Sequence, residues 1–492
     1  MKKNKYLLAV IVLCIINFII RLPFIHLLPY NDSPVYYDAV LKVLNNHLNP
    51  FTFYISYKPP ILILFVALLF KLFTPSLMIG SLLVYSCSSL SLLFTYLLGR
   101  CLFGEKTGLF ATLLLSIFPL FVAQSFFFND AIVLTFLTLI TLYSYVKSNK
   151  LSYYISATLL VLTKEPQIFI PISIGFYEIY RLRFLLHTSI KQAIKQGALL
   201  WTPICAFLLW MGMNKIIFGF YLDPVNVGLF SIDKNYAELI PYILHFVFLF
   251  NGIWLIWPTI IAYVVLFVAH KIHMNKTRDS ILFYFLFLFS FYILFYFFTE
   301  PVPRYMLPLY PYLFLVGCAT INLFFSKMKS LMLLLTICFL YVGVHISHYF
   351  YLPMEYWGET DLNLFHVSTL YKKSIRYIRT HYEKPLIVTV PWLYEWDTSA
   401  FKNTKSQYNQ GMYFWNITNE GKDELGNIIQ WAHDRSLSPI IFIDPSYIDG
   451  PNDPPILDAY KIKIATLYDD TINHYNYHTL YRIKEAIIQT EQ

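Results

Sequence analysis

Charged residues, glycine and cysteine are all scarce in this sequence. Only 13% of the 492 residues are charged, whereas a soluble domain carries roughly 25%, so most of the chain is not suited to water. The 17 glycines and the 19% aromatic share exclude collagen-like, low-complexity and disordered proteins, which have few aromatic residues. The six cysteines show no CxxC spacing, which argues against a zinc site and against a disulfide framework.

Apolar residues make up 57% of the chain and gather in long runs. A helix of about 20 apolar residues crosses the roughly 30 Å hydrocarbon core of a bilayer. The run from Tyr6 to Ile20 follows basic residues and lacks a small-residue cleavage pair, so it predicts a retained first span. Further spans, about eleven in all, are predicted at residues 76–98, 107–127, 131–147, 152–163, 167–180, 197–218, 240–269, 280–298, 305–325 and 330–350.

One apolar segment, Lys58–Phe73, is too short for a typical span and begins with Lys-Pro-Pro. If it lies on the outer surface as a helix, the cytoplasmic segments carry sixteen Lys and Arg residues and the outer segments carry eight. Lys and Arg concentrate in cytoplasmic loops. The predicted topology therefore has a juxtamembrane surface helix, a cytoplasmic N-terminus and an extracytoplasmic C-terminal region.

The formal net charge of +8 divides unevenly along the chain. Residues 1–350 hold 24 Lys and Arg against 11 Asp and Glu, whereas residues 351–492 hold 13 against 18. The positive excess belongs to the membrane region. The enrichment of Lys and Arg in cytoplasmic loops explains it. No nucleic-acid partner is expected.

The composition changes after the last predicted span, so residues 1–350 and 351–492 are predicted to be separate domains. Segments 385–391, 439–445, 462–468 and 475–483 are typical of strands, and helical patterns lie around 366–382 and 420–435. These elements predict a small C-terminal α/β domain. It has neither GxGxxG nor GxSxG, so the sequence assigns it no chemistry of its own.

Charged residues recur at the outer ends of the predicted spans, in short turns that contain proline. They include carboxylates at Asp32 and Asp130 and cations at Lys58, Lys164 and Arg304. A carboxylate can act as a general base on an acceptor hydroxyl, and cations can stabilise a phosphate as its bond to a sugar breaks. The pattern is therefore suited to group transfer from a lipid phosphate. Ordinary solvated loop residues are the simpler explanation.

Four segments in sequence order resemble a known family. They are NDSPVYYDAVLKVLNNH followed by YKPPILILFVALLFKLF (31–73), LLGRCLFGEKTGLFATLLLSIFPLFVAQSFFFNDAIVLTFLTL (97–139), LLVLTKEPQIF (159–169) and EPVPRYMLPLYPYLFLVG (300–317). Together they are similar to the GT-C glycosyltransferases of the ArnT and protein O-mannosyltransferase type, the type of glycosyltransferase family 39. The resemblance covers about residues 1–350.

The resemblance implies a polytopic α-helical membrane enzyme that uses a polyprenyl-phosphate sugar donor and inverts the anomeric centre. It implies Asp32 as the general base and Asp130 as a second carboxylate that positions the acceptor or a loop. It also implies that three cations lie near the donor phosphate and that two further residues assist: Lys58, Lys164 and Arg304, with Glu165 and Tyr305 as accessory residues.

Three departures from the family pattern leave the acceptor open. Ser33 stands where many relatives have an acid, Tyr57 where ArnT-like members often have Glu, and Glu165 where Gly is common. The acceptor is a lipid, a glycan or a protein, at a hydroxyl or a phosphate. No metal ligands are predicted, a divalent-cation requirement stays open, and the expected location is a bacterial plasma membrane.

Two other classes of protein have the same hydropathy profile. A transporter or lipid flippase would carry charges at mid-span depth and inverted repeats, and the sequence shows neither. A non-catalytic scaffold with an outer domain is the third alternative. Sugar transfer from a polyprenyl-phosphate donor separates the enzyme from both.

Overall fold

A computed structural model describes the first eleven helices and parts of the later chain. The described residues are 5–25, 33–51, 59–221, 303–324, 373, 376–378, 380–382 and five strands between 386 and 483. The predicted spans at 240–269, 280–298 and 330–350 and the predicted helix at 420–435 lie outside these residues.

Helices α1 to α12 have these bounds: α1 Lys5–Arg21, α2 Ser33–Asn45, α3 Ile61–Leu72, α4 Leu77–Phe103, α5 Glu105–Ile117, α6 Pro119–Gln124, α7 Asp130–Val146, α8 Lys150–Val161, α9 Phe169–Tyr180, α10 Ile190–Leu200, α11 Thr202–Phe218 and α12 Tyr310–Phe324. Short 3₁₀ segments cover Leu22–Phe24, Glu165–Ile168 and Pro303–Leu309, and a π-turn covers Arg181–Leu185. The described region is therefore almost entirely helical up to residue 324.

Two of these helices are long and apolar enough to cross a membrane, namely Lys5–Phe24 and Leu77–Phe103. A third span results if α10 and α11, which meet at an angle of 49°, are taken as one. That count covers only the described residues. Some other predicted spans are divided into two helices. The segment 107–127 breaks at Phe118, and Pro119 then starts α6, because proline favours the first position of a helix.

Helix α1 has the surface expected of a helix that faces lipid. After Lys5 its exposed side chains are apolar, with Ile11, Ile15 and Ile19 all at least 40% exposed. Its polar residues Asn17 and Arg21 are buried instead. Arg21 donates to Ser125 Oγ at 2.6 Å and to Asn17 Oδ1 at 2.7 Å, and polar groups inside a bilayer require such partners.

Helix α3 carries the apolar part of the predicted surface segment. Its twelve residues, Ile61–Leu72, extend about 18 Å, which is shorter than the roughly 30 Å hydrocarbon core. One face, including Val66 and Phe70, is buried, while Phe65 and Leu72 on other faces are exposed. The length and the single buried face favour a surface helix over a span.

Helix α2 packs against α3 and α4 through Tyr37. The Tyr37 hydroxyl donates to the carbonyl of Leu77 at 2.6 Å, and its ring lies 4.5 Å from that of Phe128 and 6.4 Å from that of Phe70. Helix α4 comes close to this ring because Gly80 lacks a Cβ, and a Cβ there would clash with the Tyr37 hydroxyl and the Phe128 ring. The fit fixes the position of the segment that follows Asp32.

The substitution Gly80→Ala should lower stability by about 1–3 kcal/mol, because an added methyl forces Tyr37 and Phe128 apart. Gly212→Ala is the matched control, since a Cβ at Gly212 meets no atom within 4 Å. Thermal unfolding of the purified full-length variants measures both. An equal effect at the two positions would contradict the packing described for α2.

Five strands form one sheet in the C-terminal region, in the order β2-β1-β3-β5-β4. The strands are β1 Leu386–Thr389, β2 Tyr413–Asn416, β3 Ile440–Pro445, β4 Lys461–Tyr468 and β5 Tyr477–Ile483. β1 pairs in parallel with β2 and β3, and β5 pairs antiparallel with β3 and β4. Four strands fall in the predicted segments, whereas β2 was not predicted; the domain boundary at residue 350 stays a prediction.

Candidate functional site

Helix α7 begins at Asp130, which was predicted as the second carboxylate. Asn129 caps the helix by accepting a hydrogen bond from the amide of Ala131 at 3.0 Å, and its own amide group donates to Gln124 Oε1 at 2.6 Å. A carboxylate in the first turn is stabilised by the positive end of the helix dipole. Asp130 is thus held at a fixed point, with its side chain 3% exposed.

Lys164 approaches Asp130 from the turn between α8 and α9. Its Nζ lies 2.8 Å from Asp130 Oδ2, and its side chain is 8% exposed. The hydroxyl of Tyr36 on α2 donates to the same Oδ2 at 2.6 Å. One carboxylate oxygen therefore joins α7, α2 and the Lys164 turn.

Tyr305 contacts two cations. The Nζ of Lys164 lies 3.6 Å from the centre of the Tyr305 ring, and the Cζ of Arg304 lies 5.4 Å from it. Arg304 and Tyr305 belong to the 3₁₀ segment Pro303–Leu309, which packs against α6 and α7. Because an aromatic face attracts cations, the ring brings both positive charges to one place.

A backbone hydrogen bond connects the Pro-Pro turn to the Lys164 turn. The amide of Ile61, which follows Pro59 and Pro60, donates to the carbonyl of Leu162 at 3.0 Å. Both prolines are buried. Two of the sequence motifs therefore meet in the structure, although Lys58 itself lies outside the described residues.

The buried ammonium of Lys164 has unused hydrogen-bonding capacity. Its contact with Asp130 is close enough for an ion pair but lacks hydrogen-bond geometry, and within the described residues Nζ has no hydrogen-bond partner. A buried donor without an acceptor is costly. A phosphate oxygen placed near Tyr305 would supply that acceptor and would also meet the charge of Arg304.

The structure brings four of the seven predicted site residues into one group: Asp130, Lys164, Arg304 and Tyr305. Glu165 follows Lys164 directly at the start of a 3₁₀ turn. Asp32 and Lys58 lie outside the described residues.

Solvated loop residues were the simpler explanation of these charges, but Asp130, Lys164 and Arg304 are buried. Sequence reasoning also missed Tyr36, because its contact with Asp130, 94 residues away, depends on how α2 packs on α7. Tyr305, predicted as an accessory residue, lies in the group. By contrast, Asp38 is half exposed and pairs with Lys42 at 2.7 Å, as expected for a residue on a solvated helix face.

Where the chain is described, no group of three His, Cys, Asp or Glu residues could hold a metal ion.

The substitution Tyr36→Phe should lower stability by about 1.5–3 kcal/mol, the range for a hydrogen bond to a charged group. The phenyl ring keeps its edge-on contact with Phe128, so the loss reports the bond to Asp130. Tyr37→Phe is the neighbouring control, because its hydroxyl donates to the neutral carbonyl of Leu77 and should cost about 0.5–1.5 kcal/mol. Unfolding of both variants is compared, and a larger loss for Tyr37→Phe would contradict this assignment.

Part of the sequence matches a protein-family model. Residues 57–211 match the dolichyl-phosphate-mannose-protein mannosyltransferase model. This segment contains the Lys-Pro-Pro turn, Asp130 and Lys164 but is less than half of the chain. A comparison with curated proteins finds no match.

Solved structures share the fold over nearly the whole chain. ArnT from Cupriavidus metallidurans bound to undecaprenyl phosphate is 12% identical, with a TM-score of 0.54 and 98% of each chain covered. The apo form of that enzyme is 11% identical, with a TM-score of 0.52 and 99% of each chain covered. The oligosaccharyltransferase of Archaeoglobus fulgidus in complex with zinc and sulfate is 13% identical, with a TM-score of 0.50, 90% of this chain and 68% of that one covered. The family-model match and the shared fold together confirm the predicted resemblance to GT-C glycosyltransferases of the ArnT and protein O-mannosyltransferase type.

Proposed function

We propose that this chain, a membrane glycosyltransferase with the GT-C fold, transfers a sugar from a polyprenyl-phosphate donor to an acceptor hydroxyl. The bond between the anomeric carbon and the phosphate oxygen breaks, and a bond from that carbon to the acceptor oxygen forms on the opposite face. Asp32 takes the acceptor proton. The polyprenyl phosphate leaves with the electron pair of the broken bond.

The observation that carries the proposal is the pair of cations on Tyr305. Lys164 and Arg304 are buried, converge on one aromatic ring and come from separate segments of the chain. Fixed cations in a site of low dielectric stabilise charge that develops on a leaving phosphate. Lys58 precedes the Pro-Pro turn that is bonded to the Lys164 turn, so it is the third cation in the proposed phosphate site.

Asp130 is better suited to positioning than to taking a proton. Its Oδ2 already faces the Lys164 ammonium and accepts the Tyr36 hydrogen bond. Because these two partners already occupy Oδ2 and the side chain is only 3% exposed, an acceptor hydroxyl has little access to this carboxylate. We therefore assign the base to Asp32, while Asp130 fixes Lys164 and α2 and Glu165 assists at the turn.

The proposed reaction takes place at the outer face of a bacterial plasma membrane. The N-terminus is cytoplasmic in this proposal, and residues 351–492 form an extracytoplasmic α/β domain. The excess of Lys and Arg in the opposite loops supports this orientation. The acceptor is a lipid, a glycan or a protein that reaches the site from the outer side.

The test uses the full-length protein in liposomes with a panel of polyprenyl-phosphate sugars and with glycolipid, glycan and Ser/Thr-peptide acceptors. We expect release of polyprenyl phosphate and a product of inverted anomeric configuration, read by NMR. Nucleotide sugars are the matched donors without a lipid and should be inactive. Transfer from nucleotide sugars, or a product with retained configuration, would contradict the proposal.

A further inference from the structure

A cavity lies at the end of the helix bundle opposite the candidate site. Helix α7 starts at Asp130 in the site and ends at Val146 beside the cavity, which separates the two by about 25 Å along the helix. Helix α9 follows the Lys164 turn and likewise ends near the cavity, at Glu178 and Arg181. The cavity has a volume of about 230 Å³ and plays no part in the proposed transfer.

The walls of the cavity combine tyrosine rings with polar groups. Four tyrosines line it, together with the polar residues of the turn between α7 and α8: Tyr145, Tyr153, Tyr154 and Tyr177, with Ser148 and Asn149. Tyrosine is common where the bilayer interior meets the headgroups, because its ring is apolar and its hydroxyl is polar. This lining is typical of the interfacial depth of a membrane.

The cavity carries a net positive charge in the described part of the chain. Its single carboxylate, Glu178, accepts two hydrogen bonds from Arg181, each 2.7 Å, and one from Tyr145 at 2.5 Å. Hydrogen bonding to Glu178 in turn raises the pKa of Arg181. Lys150, the first residue of α8, also lines the cavity and pairs with no carboxylate of the described residues.

An apolar surface adjoins the cavity on α8. Leu151 and Ile155, which follow Lys150 on the same helix, are 72% and 54% exposed. They are one helical turn apart and so share a face. A ligand whose phosphate meets Lys150 could thus lay an apolar chain against α8, which a free phosphate cannot do.

We propose that this cavity binds the phosphate headgroup of an anionic phospholipid in the leaflet opposite the candidate site. The predicted topology makes this the cytoplasmic leaflet. Basic pockets between membrane helices on the cytoplasmic side hold such headgroups, and each basic residue contributes about 1 kcal/mol of attraction. The proposal does not depend on the transferase chemistry, because the two sites share helices but no residues.

Lipid binding to the purified full-length protein tests the proposal. Native mass spectrometry is used to titrate phosphatidylglycerol, with phosphatidylcholine as the neutral lipid. We expect tighter binding of phosphatidylglycerol and a weakening of about fivefold in Lys150→Gln. Gln196→Glu, which places a negative charge in the lining, should also weaken it.

Lys106→Gln is the matched control. Lys106 is an exposed residue in the first turn of α5 and does not line the cavity, so binding should not change. Equal losses in the two lysine variants, or equal binding of the two lipids, would overturn the proposal. Inorganic phosphate should not displace the lipid; if phosphate alone binds and displaces it, the lipid is not the ligand.

Discussion

Replacing Asp130 with Ala is expected to lower the free energy of unfolding by about 3–5 kcal/mol, the cost of breaking a buried ion pair from one side. The substitution leaves the Lys164 ammonium buried without its carboxylate at 2.8 Å. It also removes the acceptor of the Tyr36 hydroxyl. Chemical or thermal unfolding of the full-length protein in detergent measures the loss.

A second substitution distinguishes loss of the ion pair from a general disruption of packing around Asp130. Lys164→Met in the Asp130→Ala background removes the uncompensated charge, so the double variant should recover more than half of the lost stability. Asp38→Ala is the surface control: its pair with Lys42 is half exposed and is worth about 0–1 kcal/mol. A double variant as unstable as Asp130→Ala would show that the pair is not what stabilises this region.

Replacing Asp32 with Asn should reduce transfer by about 10²- to 10⁴-fold, the usual contribution of a general base. The amide matches the carboxylate in shape but cannot accept the acceptor proton. The loss should therefore fall on kcat, while the KM for the donor and the melting temperature stay near the wild-type values. Initial rates with the polyprenyl-phosphate donor measure both constants.

Asp38→Asn serves as the control for the Asp32 variant, because Asp38 lies six residues further on and faces solvent. It should leave the transfer rate unchanged. Asp130→Asn should lower stability as well as activity, which separates a positioning carboxylate from a base. If Asp32→Asn keeps its activity, or if Asp130→Asn alone loses kcat with full stability, the roles assigned here are wrong.

Hydropathy located most of the described helices but not their breaks. The segment predicted at 197–218 is part of a longer bent pair. A new helix with Pro203 in its first turn begins at Thr202, and the chain turns by 49° there. The segment predicted from residue 305 begins instead as a 3₁₀ turn. Average hydropathy over a window reports composition and is insensitive to the direction of the backbone. Breaks of this kind can be predicted only from the prolines in the segment.

Charged residues were predicted to gather at one end of the spans, and Asp130, Lys164 and Arg304 do lie in one group; their role in catalysis stays a prediction. The sequence could not supply the pairing of Asp130 with Tyr36, which lie 94 residues apart, because that contact depends on how α2 packs on α7. Burial of Lys164 was missed for the same reason. Strand β2 was missed because its short apolar run ends at Asn416, whereas β1, which is equally short, lies within the proline-bounded apolar run 385–391.

The most direct test of the account locates the donor phosphate. A photoreactive polyprenyl-phosphate analogue, with its label next to the phosphate, is crosslinked to the full-length protein, and the labelled peptides are mapped. We expect labelling of Pro303–Leu309 and of the turn around Lys164, and loss of labelling when unlabelled polyprenyl phosphate competes. Labelling confined to the opposite end of the bundle, around Lys150 and Arg181, would contradict it.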